Sequence, residues 1–396
     1  MSCWQTASLV DQTRTIAGLV FMLPALTVAA LVYTRRCGPR VYRQTGLRPW
    51  RQFVEQITLG VRLAVPPPWY YGFEFYRPAH RLRAAEYLYA FELKRAVYRD
   101  IRQLWSRQQT LDALSDKALF SIYCQQRKLA VVPVAAIAAH GQVTMADGES
   151  LLPRTDLFFK PRKGAGGRGA ARWYYAGDGI YRATDSTALT AKTLQHELEK
   201  RSLNESYIVR PLVSNHVAFG EINAGALSTV RVMTCWTESG AIVVTHAVLR
   251  MASIVGSPVD NFHKGGIAAP VDLATGVAGQ ATDIGWLADS AWHTHHPASG
   301  AAIAGFELPF WHETLALARA AHAAFDDQIL VGWDIAILED GPYLVEGNKG
   351  PDLDIIQRLH REPAGNSQIG RSLAYYLRCS KQAGSHTTAK SATWGK

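Results

Sequence analysis

"DLFFKPRKGAGGRGAARWYY" (residues 156–175) holds a G-x-G-x-x-G, Gly164, Gly166 and Gly169, directly after an apolar run. Glycines at this spacing can form a dinucleotide-binding turn, a lid whose backbone amides cover phosphates, or a surface turn without chemistry. The first requires a strand, the glycines, a helix and then an acidic residue about 20 positions on. "LFF" supplies the strand and Asp185 the acid, but the helix is missing. "AARWYYAGDGIYRATD" is aromatic and centred on a Gly177-Asp178-Gly179 turn, which is hairpin chemistry. A glycine loop feeding a hairpin acts as a flap, with backbone N–H groups as donors. The kinase version of such a flap places its lysine after the glycines and needs H-R-D and D-F-G. Here Lys160 precedes them, and neither motif nor G-x-x-x-x-G-K-[ST] is present. A mobile surface turn remains the plain alternative.

A second pattern lies at "GWDIAILEDGPYLVEGN" (residues 332–348), two apolar strands around Glu339-Asp340-Gly341. Side chains alternate faces along a strand, so Glu346 and Asn348 point the same way. A three-residue turn places Asp334 opposite Glu346 on that face, whereas a two-residue turn places it on the other. Converging Asp, Glu and Asn oxygens suit a hard cation such as Mg²⁺; the alternative is an amphipathic hairpin with a solvated acidic face. Upstream, "ALSTVRVMTCWTESGAIVVTHAVLRM" is a further hairpin, with Arg231 and Arg250 inside its apolar strands. A buried arginine must pair or meet an anion. "VDNFHKGGI" (residues 259–267) reads as a site loop or a tight turn, and "HTHHP" (residues 293–297) as a loop rather than a metal site, because it lacks a Cys or acidic partner at ligand spacing.

The totals bound these readings. A chain of 396 residues with 48% apolar content fills a large core and usually forms two or three domains. Its formal charge of +9 is concentrated: residues 35–107 hold fourteen Arg and one Lys against five acids. The remainder is near neutral, so a nucleic-acid surface is not expected. Five scattered cysteines without C-x-x-C point to reduced thiols, not to disulfides or zinc. "IAGLVFMLPALTVAALVY" (residues 16–33) is uncharged and, as a helix, about 27 Å long, near the thickness of a hydrocarbon core. Arg35, Arg36, Arg40 and Arg43 follow while Arg14 alone precedes, so the positive-inside rule predicts a single-pass anchor in the inner (cytoplasmic) membrane with the body in the cytoplasm. A cleaved signal peptide fits poorly, and a buried helix is the plain alternative. A long helix is expected at "PFWHETLALARAAHAAF", and residues 382–396 are expected to be disordered.

The order Lys-Pro, glycine flap, Arg-bearing hairpin, Asp…Glu-x-Asn resembles the ATP-grasp superfamily. It is most similar to the sugar-transfer-associated ATP-grasp family, related to the α-L-glutamate-ligase-like proteins. "FFKPRKGAGGRG", "YIVRPLVSNH", "GALSTVRVMT", "DNFHKGGI", His296-Pro297 and "GWDIAILEDGPYLVEGN" carry the likeness, over roughly residues 115–357. The resemblance implies an α+β fold with ATP between two subdomains: a flap subdomain at about 151–212 and a Mg²⁺-binding one at about 213–380, within an ATP-grasp domain at 115–380. A membrane anchor (1–34) and a basic helical region (35–114) would precede it, and a tail (381–396) would follow.

By the same resemblance Lys160 holds ATP phosphates under the loop of Gly164, Gly166, Gly167 and Gly169, and Lys117 is a further nucleotide contact. Val209 and Leu212 meet adenine through the backbone, with Leu212 as the donor because Pro211 has no N–H. Asp334, Glu346 and Asn348 hold Mg²⁺, and Arg231, Arg250 and Lys264 are the catalytic candidates. The implied reaction is carboxylate–amine ligation through an acyl phosphate, on small molecules that include a sugar nucleotide or lipid-linked sugar, in cell-surface polysaccharide assembly. Phosphoryl transfer to a sugar hydroxyl and a non-catalytic nucleotide-binding scaffold are the rival readings. An oxidoreductase would require a helix after Gly169.

Overall fold

The computed structural model describes residues 9–164, 169–254 and 262–391, without the side chains of 9–21, Lys264 and 380–391. Two compact units are present: Met1–Tyr87 with Ile284–Ala291 and His360–Pro363, and Leu88–Asp283 with Trp292–Leu359 and Ala364–Lys396.

The larger unit is α+β and contains two seven-stranded antiparallel sheets. The first comprises β1 (Ala136–Ala139), β2 (Gln142–Met145), β3 (Leu157–Pro161), β4 (Ala171–Tyr175), β5 (Ile180–Ala183), β6 (Ala188–Thr190) and β7 (Tyr207–Pro211), in the order β2-β1-β7-β3-β4-β5-β6. Strand β4 occupies the position where an oxidoreductase turn would need a helix, and it pairs with β5 around Gly177–Gly179 as the hairpin chemistry predicts. One face of this sheet packs Leu157, Phe159, Trp173 and Val209 against Leu194 and Leu198 of the helix Ala191–Ser202. Thr190 caps that helix by accepting from the Thr193 N–H.

The second sheet comprises β8 (Thr229–Trp236), β9 (Ile242–Met251), β10 (Ile267–Val271), β11 (Ala281–Thr282), β12 (Trp292–His293), β13 (Leu330–Leu338) and β14 (Gly341–Asn348), in the order β12-β11-β10-β9-β8-β13-β14. Val230, Val232, Leu249, Trp333, Ile335 and Ile337 fill its core face against the helix Trp311–Ala324, which buries Trp311, Leu315, Ala318 and Ala321. The segment before β1 ties the sheets together, since the Val132 N–H donates to Leu344 O and the Leu344 N–H to Ala130 O. The last helix spans Gln368–Ser391, so a helical backbone runs through most of the stretch expected to be a disordered tail.

The smaller unit corrects the membrane expectation. Residues 16–33 lie in one long helix, Leu9–Thr45, yet among the described residues no helix is long and apolar enough to cross a membrane. From Leu26 onward this helix is packed as a protein element. Leu26, Ala30, Cys37 and Val41 are buried, and Leu26 fills the space above Gly60 of the helix Pro49–Leu63. Polar side chains are matched inside the same contact: Gln56 Nε2 donates to Thr34 Oγ1 (2.7 Å), and Arg40 donates to Ser290 O (2.8 Å) and Gly285 O (2.9 Å). Lipid offers no such partners. The single-pass inner-membrane placement falls with the spanning helix. The four described cysteines are free, as their spacing predicts.

Candidate active site

Register decides which side chains of the first sheet meet. Phe158 lies opposite Arg210 on β7 and Arg172 on β4, and Lys160 lies opposite Ile208. Alternation therefore places Lys160, Arg172 and Arg210 on the face away from the Leu157/Phe159 core. They line a cavity of about 270 Å³ with Phe158, Tyr174 and Val345. Arg210 is 2% exposed; its Nη1 donates to Val345 O (3.1 Å), while Nε and Nη2 have no partner among the described residues. Burial pulls Arg210 down to about 10, with Glu346 opposing the shift. Burial, then the Arg210 charge, push the Lys160 amine down to about 7, although Glu346 and Asp334 favour its ammonium form.

Lys117 completes this cationic cluster. It opens the helix Lys117–Gln126, capped by Asp116, which accepts from the Ala118 and Leu119 N–H groups and pairs with Arg162 Nε (2.6 Å). Lys117 Nζ donates to Gly164 O (2.7 Å), at the base of the glycine loop. Its amine is lowered, chiefly by burial, with Glu346 opposing and Arg210 adding to the shift. Gly164 and Gly169 adopt φ of 96° and 73°, the left-handed region that glycine tolerates. Gly166 and Gly167 lie outside the described residues.

The strand end expected to meet adenine is already engaged. The Leu212 N–H donates to Asp156 O (2.8 Å), and Val209 O accepts from the Ala135 N–H (2.8 Å). Strand β7 is central, so both its edges are used by the sheet. Leu212 is therefore not the free donor that the sequence suggested. Val213, also lining the cavity, is the next residue along the chain.

The second sheet contributes acids. Leu338 pairs with Gly341, so the turn is the two-residue Glu339-Asp340, the case predicted to turn Asp334 away. A β-bulge cancels that: Ile335 faces Leu344, but Asp334 faces Glu346, with Val345 as the extra residue. Asp334, Glu346 and Asn348 thus share one face, and the bulged residue supplies both cavity wall and the carbonyl that accepts from Arg210. Asp334, 3% exposed, is clamped by Arg231 (Nε–Oδ1 and Nη2–Oδ2, both 2.7 Å) and Arg250 (Nη1–Oδ2, 2.8 Å). Burial alone would raise its pKa; the two guanidiniums overcome that and hold it well below the usual carboxylate range. Asn348 Nδ2 donates to Gly332 O (3.2 Å), leaving Oδ1 as the end available to a cation. An oxygen-only set of two carboxylates and an amide fits Mg²⁺.

Two neighbours of this face escaped sequence reading. His263 pairs with Asp354 (Nε2–Oδ2, 2.7 Å); burial lowers its pKa, but Asp354 and then Asp352 raise it further, so the net shift is upward. Arg210 is the other, though the signal was there: a lone arginine in the apolar strand "YIVRP", the same argument applied to Arg231 and Arg250. Lys264 lies in the turn Phe262–Lys264, and its side chain is outside the description, as is Asn261. His296 is structural, 1% exposed, with Nε2 2.6 Å from Ala252 O and Nδ1 accepting from the Ala298 and Ser299 N–H groups.

A family model described as sugar-transfer associated ATP-grasp matches residues 98–364. No curated protein matches the chain significantly. Among solved structures the chain is similar to an L-amino acid ligase from Bacillus licheniformis (12% identity, 69% of this chain, 49% of that chain, TM-score 0.38). It is also similar to a biotin carboxylase–β,γ-ATP complex from Campylobacter jejuni (10%, 68% and 47%, 0.41) and to D-alanyl-alanine synthetase A from Vibrio cholerae O1 biovar eltor (11%, 68% and 67%, 0.40). The chain spans about half the length of the first two.

Proposed function

The chain belongs to the sugar-transfer associated ATP-grasp family, and from that premise we propose that it is an ATP- and Mg²⁺-dependent ligase joining a carboxylate to an amine, on a substrate that carries a sugar. The observation that supports this most is the opposition of charge: Lys160 and Arg210 of the first sheet, with Lys117 of the neighbouring helix, all lie within electrostatic reach of Glu346 on the second sheet, and Lys160 also of Asp334. Cations alone would suit any anion, and an acidic trio alone any cation. Both together suit a metal-bound polyphosphate.

In this reading a substrate carboxylate oxygen attacks the γ-phosphorus, the β–γ bridge bond breaks and ADP leaves. The amine nitrogen then attacks the acyl carbon, phosphate departs with the bonding pair, and the amine loses a proton. Lys160 and Arg210 hold the phosphates, with Lys117 at the base of the glycine lid. Arg231 and Arg250 keep Asp334 ionised and aimed, and Lys264 stands as a further candidate from the neighbouring turn. Asp334, Glu346 and Asn348 would hold Mg²⁺, which would neutralise charge developing on the transferred group.

The test is to incubate the chain with ATP, Mg²⁺ and pools of amino acids and sugar nucleotides, following nucleotide and condensed product. ADP formed together with an amide is expected, with turnover lost by at least about a hundredfold in Glu346→Gln. AMP as the product, or a phosphorylated sugar without condensation, overturns the ligase reading. Unchanged turnover in Glu346→Gln removes that residue from the metal set.

A further inference from the structure

The packing of the smaller unit leaves one face of its helical hairpin uncovered. The helices Leu9–Thr45 and Pro49–Leu63 pack antiparallel, with Leu26 over Gly60 and Gln56 bonded to Thr34. On the first helix, Val28, Val32, Arg35 and Tyr42 recur at helical spacing on the side away from the buried Leu26, Ala30, Cys37 and Val41. Val28 is 62% exposed and Val32 53%, and Met22, Leu23 and Leu31 extend the open apolar surface. On the second helix, Trp50, Val54 and Val61 are exposed on the side away from the buried Gln52, Gln56 and Leu59. Single exposed apolar residues are ordinary, but a set aligned along two helices marks an interaction surface.

Charge says what covers it. Arg35, Arg36, Arg43, Arg48, Arg51 and Arg62 are all exposed on this hairpin. Glu55, the sole acid in the sequence of residues 22–63, is held by Arg81 (2.6 Å) and by the Tyr70 hydroxyl. Among the described residues none of the six arginines has a carboxylate partner. A soluble polyanion would match the arginines and leave the valines in water, whereas an apolar protein surface would do the reverse. A second copy would bring like charges together. Acidic lipid answers both demands at once, with acyl chains for the valines and phosphates for the guanidiniums, and tyrosine and tryptophan favour the boundary between them.

We propose that the outer face of this hairpin docks on a membrane surface containing acidic phospholipid, lying in the headgroup layer without crossing it. Only side chains that are already exposed enter the lipid, so the buried seam that rules out a span is kept. The surface belongs to the smaller unit and does not depend on the ligase reading.

The full chain should float with vesicles of phosphatidylcholine and phosphatidylglycerol and be released by salt, and should bind vesicles of phosphatidylcholine alone at least about tenfold more weakly. Joint replacement Arg35→Gln, Arg36→Gln and Arg43→Gln should weaken binding about a hundredfold, at about fivefold for each arginine. Val28→Asn with Val32→Asn should weaken it at least about tenfold, because apolar burial is lost with the charge unchanged. Absence of binding to the acidic vesicles, equal binding to both vesicle types, or unchanged binding in either variant would each overturn the proposal. So would a dimer in solution that Val28→Asn with Val32→Asn dissolves, since the face would then belong to a second copy. The vesicle comparison and the salt release use the unmodified chain, which keeps the test decisive if a variant fails to fold.

Discussion

Lys160, half-buried, and Asp334, buried, are compensated differently. Lys160 is held among cations, and its amine falls to about 7. Its folded pKa is lower than the unfolded 10.5, so the unfolded chain binds more protons between these values and stability rises with pH across that window. The penalty is fully present below about pH 7. Lys160→Met should therefore melt at a higher temperature than the wild type without nucleotide, most clearly at pH 6, with the gap narrowing toward pH 9. A nucleotide triphosphate favours the ammonium form, so binding at pH 8 should take up a proton, measurable by calorimetry in buffers of different ionisation enthalpy. Uptake that persists in Lys160→Met would assign it elsewhere. Asp334 is the opposite case, since it neutralises Arg231 and Arg250. Asp334→Asn leaves the buried Arg250 and the half-buried Arg231 undercompensated and should cost about 3–5 kcal/mol in denaturant unfolding. Loss of activity in that variant says little about metal binding, which is why Glu346→Gln is the cleaner probe.

The β13–β14 hairpin is the element on which the acidic face depends. Its two-residue turn and the bulge at Val345 act together: either alone would place Asp334 and Glu346 on opposite faces. Gly347, between Glu346 and Asn348, points into the core, where an added Cβ would come within 2.6 Å of Leu114 Cδ2 and 2.7 Å of Trp333 Cζ3. Gly347→Ala should destabilise by about 1–3 kcal/mol through overpacking. Because the strand must shift to relieve the clash, nucleotide affinity should fall as well. A variant that loses stability but retains affinity would show that the hairpin can move without disturbing Glu346 and Asn348.

Across the larger unit, the proposed function has a consequence that neither sheet could produce alone. A triphosphate held by Lys160 and Arg210 on one side and by Glu346 on the other should slow amide exchange in both β3–β7 and β13–β14 when ATP and Mg²⁺ are added together. Protection limited to β3–β7 would mean that the acidic face takes no part. Glu346→Gln should confine protection to the first sheet, while Lys160→Met should reduce it in both.

Much of this was legible in the chain. Alternation and turn residues located the hairpin after Gly169, the β8–β9 and β13–β14 pairs and the helix Trp311–Ala324, because period and turn chemistry are local properties. The lone arginines at 231 and 250 announced buried partners for the same reason. Four features could not be read that way. The bulge at Val345 is a register choice, made by packing Leu344 and Trp333 into the core. The engagement of the Leu212 N–H follows from β7 being a central strand, which depends on strands distant in sequence. Arg210 carried the same lone-arginine signal as Arg231 and Arg250, but its partner, the Val345 carbonyl, is set only by the packing of β14 against it. Residues 16–33 have the composition of a spanning helix from end to end. Within them Leu26 is buried against Gly60, and farther along the same helix Thr34 meets Gln56 and Arg40 meets the carbonyls of Gly285 and Ser290; hydropathy along one segment carries no information about the partner that covers it.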